Sequence, residues 1–102
     1  MTVVVLEDAV ADLECGRRFY ERREAGIGDY LVESLLSDLD SLLLYAGVHS
    51  RHFGFHRMLS KRFPFAIYYE VEGDTAYVYG ILDMRREPLW IRSELELRER
   101  TR

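Results

Sequence analysis

From Thr2 to Leu6 the chain reads Thr-Val-Val-Val-Leu, a β-branched run long enough for one strand. The apolar period then changes from two to between three and four. Val10, Leu13, Arg17 and Tyr20 fall on one helical face with Phe19 beside it, and the Arg17 stem is suited to cover apolar surface while its head reaches water. Asp12, Glu14, Arg18, Arg22 and Arg23 form the opposite, charged face. Asp8 stands where an N-cap belongs. Ala25-Gly26-Ile27-Gly28 breaks the pattern, because two glycines in close succession favour a turn. With Asp29 as the expected cap, Val32, Leu35, Leu36, Leu39, Leu42, Leu43 and Ala46 predict a second helix that Gly47 ends. Two helices joined by a tight turn read as an αα-hairpin.

Past His49 the residues become strand formers. Phe53, Phe55, Phe63, Phe65, Ile67, Tyr68, Tyr69 and Val71 are prominent, and Pro64 to Val71 is close to continuously apolar. Glu72-Gly73-Asp74 predicts a turn and Thr75 to Leu82 a second strand, together a β-hairpin. A further strand is expected at about Arg57 to Ser60. Pro88 permits a short terminal helix with Leu89, Trp90, Leu95 and Leu97 as its apolar residues, and the charged stretch Glu94–Arg102 is expected to fray. The expected fold is therefore α+β: an N-terminal strand, an αα-hairpin packed on a small, mainly antiparallel sheet, and a short C-terminal helix. The first strand must pair with a later one, since it has no neighbour of its own.

Composition adds that 102 residues, 48% of them hydrophobic and 13% aromatic, suffice for one folded domain spanning 1–102 without staples. The lone cysteine, Cys15, excludes an internal disulfide and reads as a small, partly buried helix residue. No charged-then-apolar leader and no apolar run of about 18 residues is seen, so no membrane association and a cytoplasmic location are expected. The net charge of −4 hides an asymmetry. Residues 1–46 carry ten acidic and four basic side chains, whereas residues 47–70 carry Arg51, Arg57, Lys61 and Arg62 against Glu70 alone. A broad basic footprint for gripping nucleic acid is missing.

Phosphate-loop, HExxH, paired-cysteine and G-x-S-x-G patterns do not occur, and nothing suggests a metal or cofactor. His49, His52 and His56 cluster, but the glycine and phenylalanines among them favour polar loop histidines over a metal site. Tyr68, Tyr69, Tyr77 and Tyr79 fit packing better than base stacking, with Tyr68 and Tyr69 expected on opposite faces of the sheet. The most informative chemistry is cationic. Arg57, Lys61 and Arg62 precede one strand and Arg85-Arg86 follows the next, so the hairpin brings both groups toward one end of the sheet. Such a cluster can bind a phosphate and stabilise a phosphorane-like transition state. Pairing with Glu70, Asp83 and Glu87 is the competing expectation.

Phe55 to Ile91, FHRMLSKRFPFAIYYEVEGDTAYVYGILDMRREPLWI, resembles the C-terminal half of RelE/ParE-type toxins, also described as plasmid stabilisation proteins. Arg62-Phe63-Pro64-Phe65-Ala66-Ile67-Tyr68-Tyr69 is similar to the family's lead into a strand ending in paired aromatics, and Ile81–Pro88 to its arginine-rich close. DLECGRRFYERREAGIGDYLVESL resembles the family's helix–Gly-turn–helix. The resemblance implies the toxin of a type II toxin–antitoxin system, able to inhibit growth and neutralised by a cognate antitoxin. The oligomer is open between a homodimer and a toxin–antitoxin hetero-oligomer.

In RelE-like relatives the resemblance implies ribosome-dependent mRNA cleavage by a metal-independent endoribonuclease, carried here by Arg62 and Arg85, with Arg57, Lys61 and Arg86 holding phosphate or target. This chain departs from that pattern, with one lysine, no tyrosine after Tyr79, and Asp83 where many relatives have histidine. The departures favour ParE-like inhibition of a protein target such as DNA gyrase. An inactive antitoxin-binding relative is the third reading. Antitoxin contacts are expected on the outer face of the helix pair and at Leu89 and Trp90.

Overall fold

The computed structural model describes residues 1–102. Its elements run β1 (Thr2–Val5), α1 (Glu7–Glu21), α2 (Ile27–Asp40), α3 (Leu42–Tyr45), β2 (Arg51–His52), β3 (Phe55–Leu59), β4 (Phe65–Glu72), β5 (Thr75–Asp83) and α4 (Pro88–Thr101). The strands form one sheet in the order β1-β5-β4-β3-β2. β1 lies parallel to β5, with Val5 beside Val78, and the other pairings are antiparallel.

The sheet has a hydrophobic layer on each face. Leu31, Leu35, Leu39 and Leu42 pack with Met58, Phe65, Ile67, Tyr69 and Val78 on one side. Ile91 and Leu95 of α4 pack with Ala66, Tyr68, Tyr79 and Leu82 on the other. Each fully buried leucine contributes about 1.5–3 kcal/mol. This double cover explains why Phe65 to Tyr69 is uninterruptedly apolar: a strand buried on both faces has no polar side to show. Tyr68 and Tyr69 do face opposite layers.

A bulge follows, because Tyr68 pairs with Gly80 but Tyr69 with Val78, leaving Tyr79 as the extra residue. The helix-pair layer therefore takes Ala76 and Val78 and then Ile81 from β5, a change of parity that simple alternation does not anticipate.

Helix ends differ from expectation. α1 starts at Glu7, with Leu6 rather than Asp8 at the cap position, because the Leu6 N–H is still held by the Val78 C=O of the sheet at 3.0 Å. Glu7 and Asp8 fall in the first turn, where their charge complements the helix dipole. α2 is not capped by Asp29 either. Glu21, the last residue of α1, reaches across the turn and accepts the Gly26 and Gly28 N–H groups, each at 2.9 Å. Gly26 adopts φ 92°, and a Cβ on Gly28 would lie 2.5 Å from the Arg17 carbonyl oxygen, so both positions demand glycine.

The second helix is also broken at Ser41, whose Oγ donates to the Asp38 C=O at 2.6 Å, and one further turn, α3, continues it. α4 does not fray after Glu94: Leu95 is fully buried and Arg98 is anchored.

The inward face of α1 is also rotated from the expected one. Ala9, Leu13, Gly16 and Tyr20 point to the core, while Val10 is half exposed and Asp12 is turned inward. Cys15 is exposed, not partly buried.

Candidate functional site

The hairpin geometry brings the two cationic groups to the same end of the sheet. Phe65 pairs with Asp83 and the Met84 N–H donates to the Pro64 C=O at 2.8 Å, so the Lys61–Pro64 loop lies beside the Met84–Glu87 loop. Lys61 and Arg62 are both exposed there. Arg57 is not part of this group. It sits mid-strand opposite Tyr68, on the face that α4 covers.

The two arginines of the second loop are engaged. Arg85 grips Asp83 through Nη2–Oδ2 at 2.6 Å and Nε–Oδ1 at 3.0 Å, and its own N–H donates to Asp83 Oδ1 at 2.8 Å. These bonds hold the Asp83 carboxyl below the usual carboxylate range and raise the Arg85 guanidinium above its ordinary value. A guanidinium used bidentately on a carboxylate lacks its fork for a phosphate. Arg86 lies 3.7 Å over the Trp90 ring, a cation–π contact. Leu89, in the first turn of α4, is 65% exposed, whereas Trp90 is partly buried.

The other sequence-flagged side chains have local duties. Tyr69 is buried; its hydroxyl accepts the Gly47 N–H at 2.9 Å and meets His49 Nδ1 at 2.5 Å. Burial and the nearby His56 depress the His49 pKa. His56 stacks on the Tyr69 ring and bonds the His49 C=O through Nδ1 at 2.6 Å, and His52 meets the Ser50 hydroxyl. Tyr68 and Tyr79 are buried, and Arg102 covers Tyr77 at 4.0 Å, so packing accounts for the tyrosines.

Sequence reasoning missed the centre of the molecule's electrostatics. Asp12 of α1 and Arg98 of α4 form a buried bidentate pair, with Nη1–Oδ2 at 2.5 Å and Nη2–Oδ1 at 2.8 Å, their side chains 13% and 9% exposed. Asp12 Oδ2 also accepts the Ile81 N–H at 3.0 Å, and Arg98 Nη1 donates to the Tyr79 C=O at 3.0 Å. Those backbone groups flank the bulge, so the ion pair satisfies strand edge groups that the end of β1 leaves uncovered. Burial is the largest influence on Asp12 and pushes its carboxyl up despite Arg98. The signal was present as Asp12 placed between Ala9 and Gly16, but small residues mark a buried face weakly.

Beside this pair, between α1 and α4, runs a groove of about 550 Å³. Gly16, Phe65 and Ile81 contribute to its apolar surface, Phe19 and Trp90 line it, and Cys15 opens onto it.

No family model matches the sequence, and no curated protein sequence does. Among solved structures, the fold is similar to a chain of the chromosomal ParDE TA system from P. aeruginosa, with TM-score 0.72 and 20% sequence identity, over 79% of this chain and 92% of that chain. The α+β architecture with a mostly antiparallel five-stranded sheet is thus a ParE-like fold.

Proposed function

We propose that this chain is the toxin of a type II toxin–antitoxin pair, acting in the cytoplasm on a protein target such as DNA gyrase and silenced by a cognate antitoxin. The fold likeness and the sequence resemblance support the toxin role. No helix is long and apolar enough to cross a membrane, which agrees with an aqueous site of action.

The choice of a protein target rests on one observation, the closure of Arg85 onto Asp83. A metal-independent ribonuclease needs free guanidinium groups converging on the scissile phosphate and a proton donor for the leaving oxygen. Here the second arginine is neutralised by the aspartate that stands in the place of the family's histidine. The acidic total works the same way, since approach to ribosome and mRNA favours a cationic surface. For the antitoxin, the exposed apolar residues Leu36 of α2, Leu43, Leu44 and Tyr45 of α3, and Val48 in the loop beyond offer a contact strip.

Expression from a tightly regulated promoter tests the reading. Growth arrest with a relaxed reporter plasmid and intact mRNA is expected, unaffected by Arg62→Ala or Arg85→Ala. Arrest with rapid mRNA loss that either substitution abolishes would establish the ribonuclease instead. Absence of arrest would leave an antitoxin-binding scaffold.

A further inference from the structure

Three buried polar atoms have no hydrogen-bond partner in the protein: Ser34 Oγ, Asp38 Oδ2 and Ser60 Oγ. Ser34 and Asp38 are each 5% exposed, on a helix face that otherwise buries Leu31, Leu35 and Leu39. The Asp38 carboxylate also takes part in none of the ion pairs of the molecule. Taking an ion out of water is costly unless a counter-charge accompanies it.

The three side chains converge. Tyr30, Ser34, Asp38 and Ser41 recur at helical spacing and form one stripe along α2. Both ends of the stripe are pinned: Tyr30 meets Phe63 edge-on at 5.6 Å, and Ser41 Oγ meets Met58 Sδ at 3.3 Å. Ser34 and Asp38 thus face the chain between Met58 and Phe63, where Ser60 lies. The Ser60 N–H donates to the Phe65 C=O at 2.9 Å, which continues the β3–β4 register one step past Leu59 and Ala66. Directly paired residues share a face, and Phe65, like Met58, belongs to the layer under the helix pair. Ser60 therefore points toward α2.

One carboxylate and two hydroxyls make an oxygen-only donor set with a single negative charge, which suits a hard cation. A divalent ion would leave the enclosed space net positive and ordinarily recruits more carboxylates. A water molecule would satisfy the hydroxyls and leave the charge without a counter-charge. Lys61 and Arg62, next along the chain, are exposed, so their charges stay in solvent.

We propose that Ser34, Asp38 and Ser60 form a binding site for an alkali cation, sodium or potassium, clasped between α2 and the end of β3. The carboxylate supplies the counter-charge and the hydroxyls supply neutral oxygens. Occupied, the site fastens α2 to the strand that leads into the Lys61–Pro64 loop. It uses none of the residues on which the toxin reading rests, so the two stand or fall separately.

The test is thermal unfolding of the full chain in choline chloride, with sodium or potassium chloride replacing choline at constant ionic strength. Screening is then unchanged, and a bound ion is what separates the salts. Above the dissociation constant, each tenfold rise in cation raises the folding constant nearly tenfold, or about 1.4 kcal/mol, so Tm should climb by about 5 °C or more. Sodium NMR reports the ion directly, through a line that the protein broadens and added potassium sharpens. Asp38→Asn keeps the shape and removes the charge, so its Tm should be the same in all three salts and its sodium line sharp. Ser60→Ala, a milder change just past the end of β3, should shift the response to higher cation concentration.

A native Tm equal in choline, sodium and potassium would overturn the proposal. So would a cation response that persists in Asp38→Asn, or stabilisation confined to magnesium or calcium. A native chain indifferent to salt yet stabilised by Asp38→Asn would give the pocket to water and sink the cation.

Discussion

Arg98→Met removes one partner of the buried pair while keeping an unbranched side chain. In the native protein the guanidinium gives Asp12 two charge-assisted bonds and the Tyr79 carbonyl a third contact. Once it is gone, a carboxylate that is 13% exposed keeps only the Ile81 N–H. Breaking one side of a buried ion pair typically costs about 3–5 kcal/mol. For a domain of this size that lowers Tm by more than about 12 °C.

The penalty is an ionised carboxylate without a partner, so it has a definite pH signature. In Arg98→Met the folded-state pKa of Asp12, already raised by burial in the native protein, rises further because the bonds that opposed burial are lost. An acid with a raised folded pKa destabilises the fold as pH climbs from its unfolded value, about 3.9, through the folded one. The deficit relative to the native chain is therefore full at neutral pH and shrinks as pH falls toward about 4. Asp12→Asn should rescue Arg98→Met at pH 7, because the amide oxygen still accepts the Ile81 N–H and the buried charge is gone. Urea unfolding at several pH values, with native, single and double variants, measures this as a double-mutant cycle. A cost below about 1 kcal/mol, against the several expected on breaking a buried pair, would refute the reasoning. So would a deficit that does not move with pH, or no rescue by Asp12→Asn.

Gly28→Ala should cost at least about 1–3 kcal/mol, since its Cβ would meet the Arg17 carbonyl at 2.5 Å and backbone must move; thermal unfolding decides it. Glu21→Ala should lower Tm by uncapping α2. The Gly26 and Gly28 N–H groups depress the Glu21 pKa, so its contribution is present above the unfolded value and lost as pH falls through the folded one; Glu21→Ala should abolish that part of the acid dependence. Tyr69→Phe should cost about 1 kcal/mol through the lost hydroxyl bonds to Gly47 and His49. The depressed pKa of neutral His49 makes stability fall as pH drops from about 6.5 through the folded value; with the phenol gone, histidine proton NMR should show His49 titrating at a different pH.

Strong periodicity made the main elements of this fold legible. The leucines of α2, the β4–β5 hairpin and the need for β1 to find a later partner all carry through to the structure. Misplaced details share a cause, long-range contacts that leave little local trace. The cap of α2 comes from Glu21 on the preceding helix, so no residue at the cap position advertises it. α4 persists because Leu95 and Arg98 reach β5 and α1, although its own sequence is mostly charged. The face of α1 was misread because Ala9 and Gly16 permit close packing without registering as strongly apolar.

At the candidate site the hairpin does bring the Lys61–Arg62 loop beside the Arg85–Arg86 loop, but Arg57, expected with them, lies mid-strand opposite Tyr68. What the sequence left open was the competition between phosphate and carboxylate for Arg85. Asp83 is two residues away, and only the turn geometry lets its carboxylate and the guanidinium fork meet twice.

The most direct test of the central claim uses the purified chain against purified DNA gyrase, with supercoiling of relaxed plasmid as the readout, beside a translating-ribosome reaction that follows mRNA integrity. The account predicts that supercoiling stops, the mRNA stays whole, and Arg62→Ala and Arg85→Ala change neither result. Intact supercoiling together with mRNA cleavage that needs Arg62 or Arg85 would contradict it.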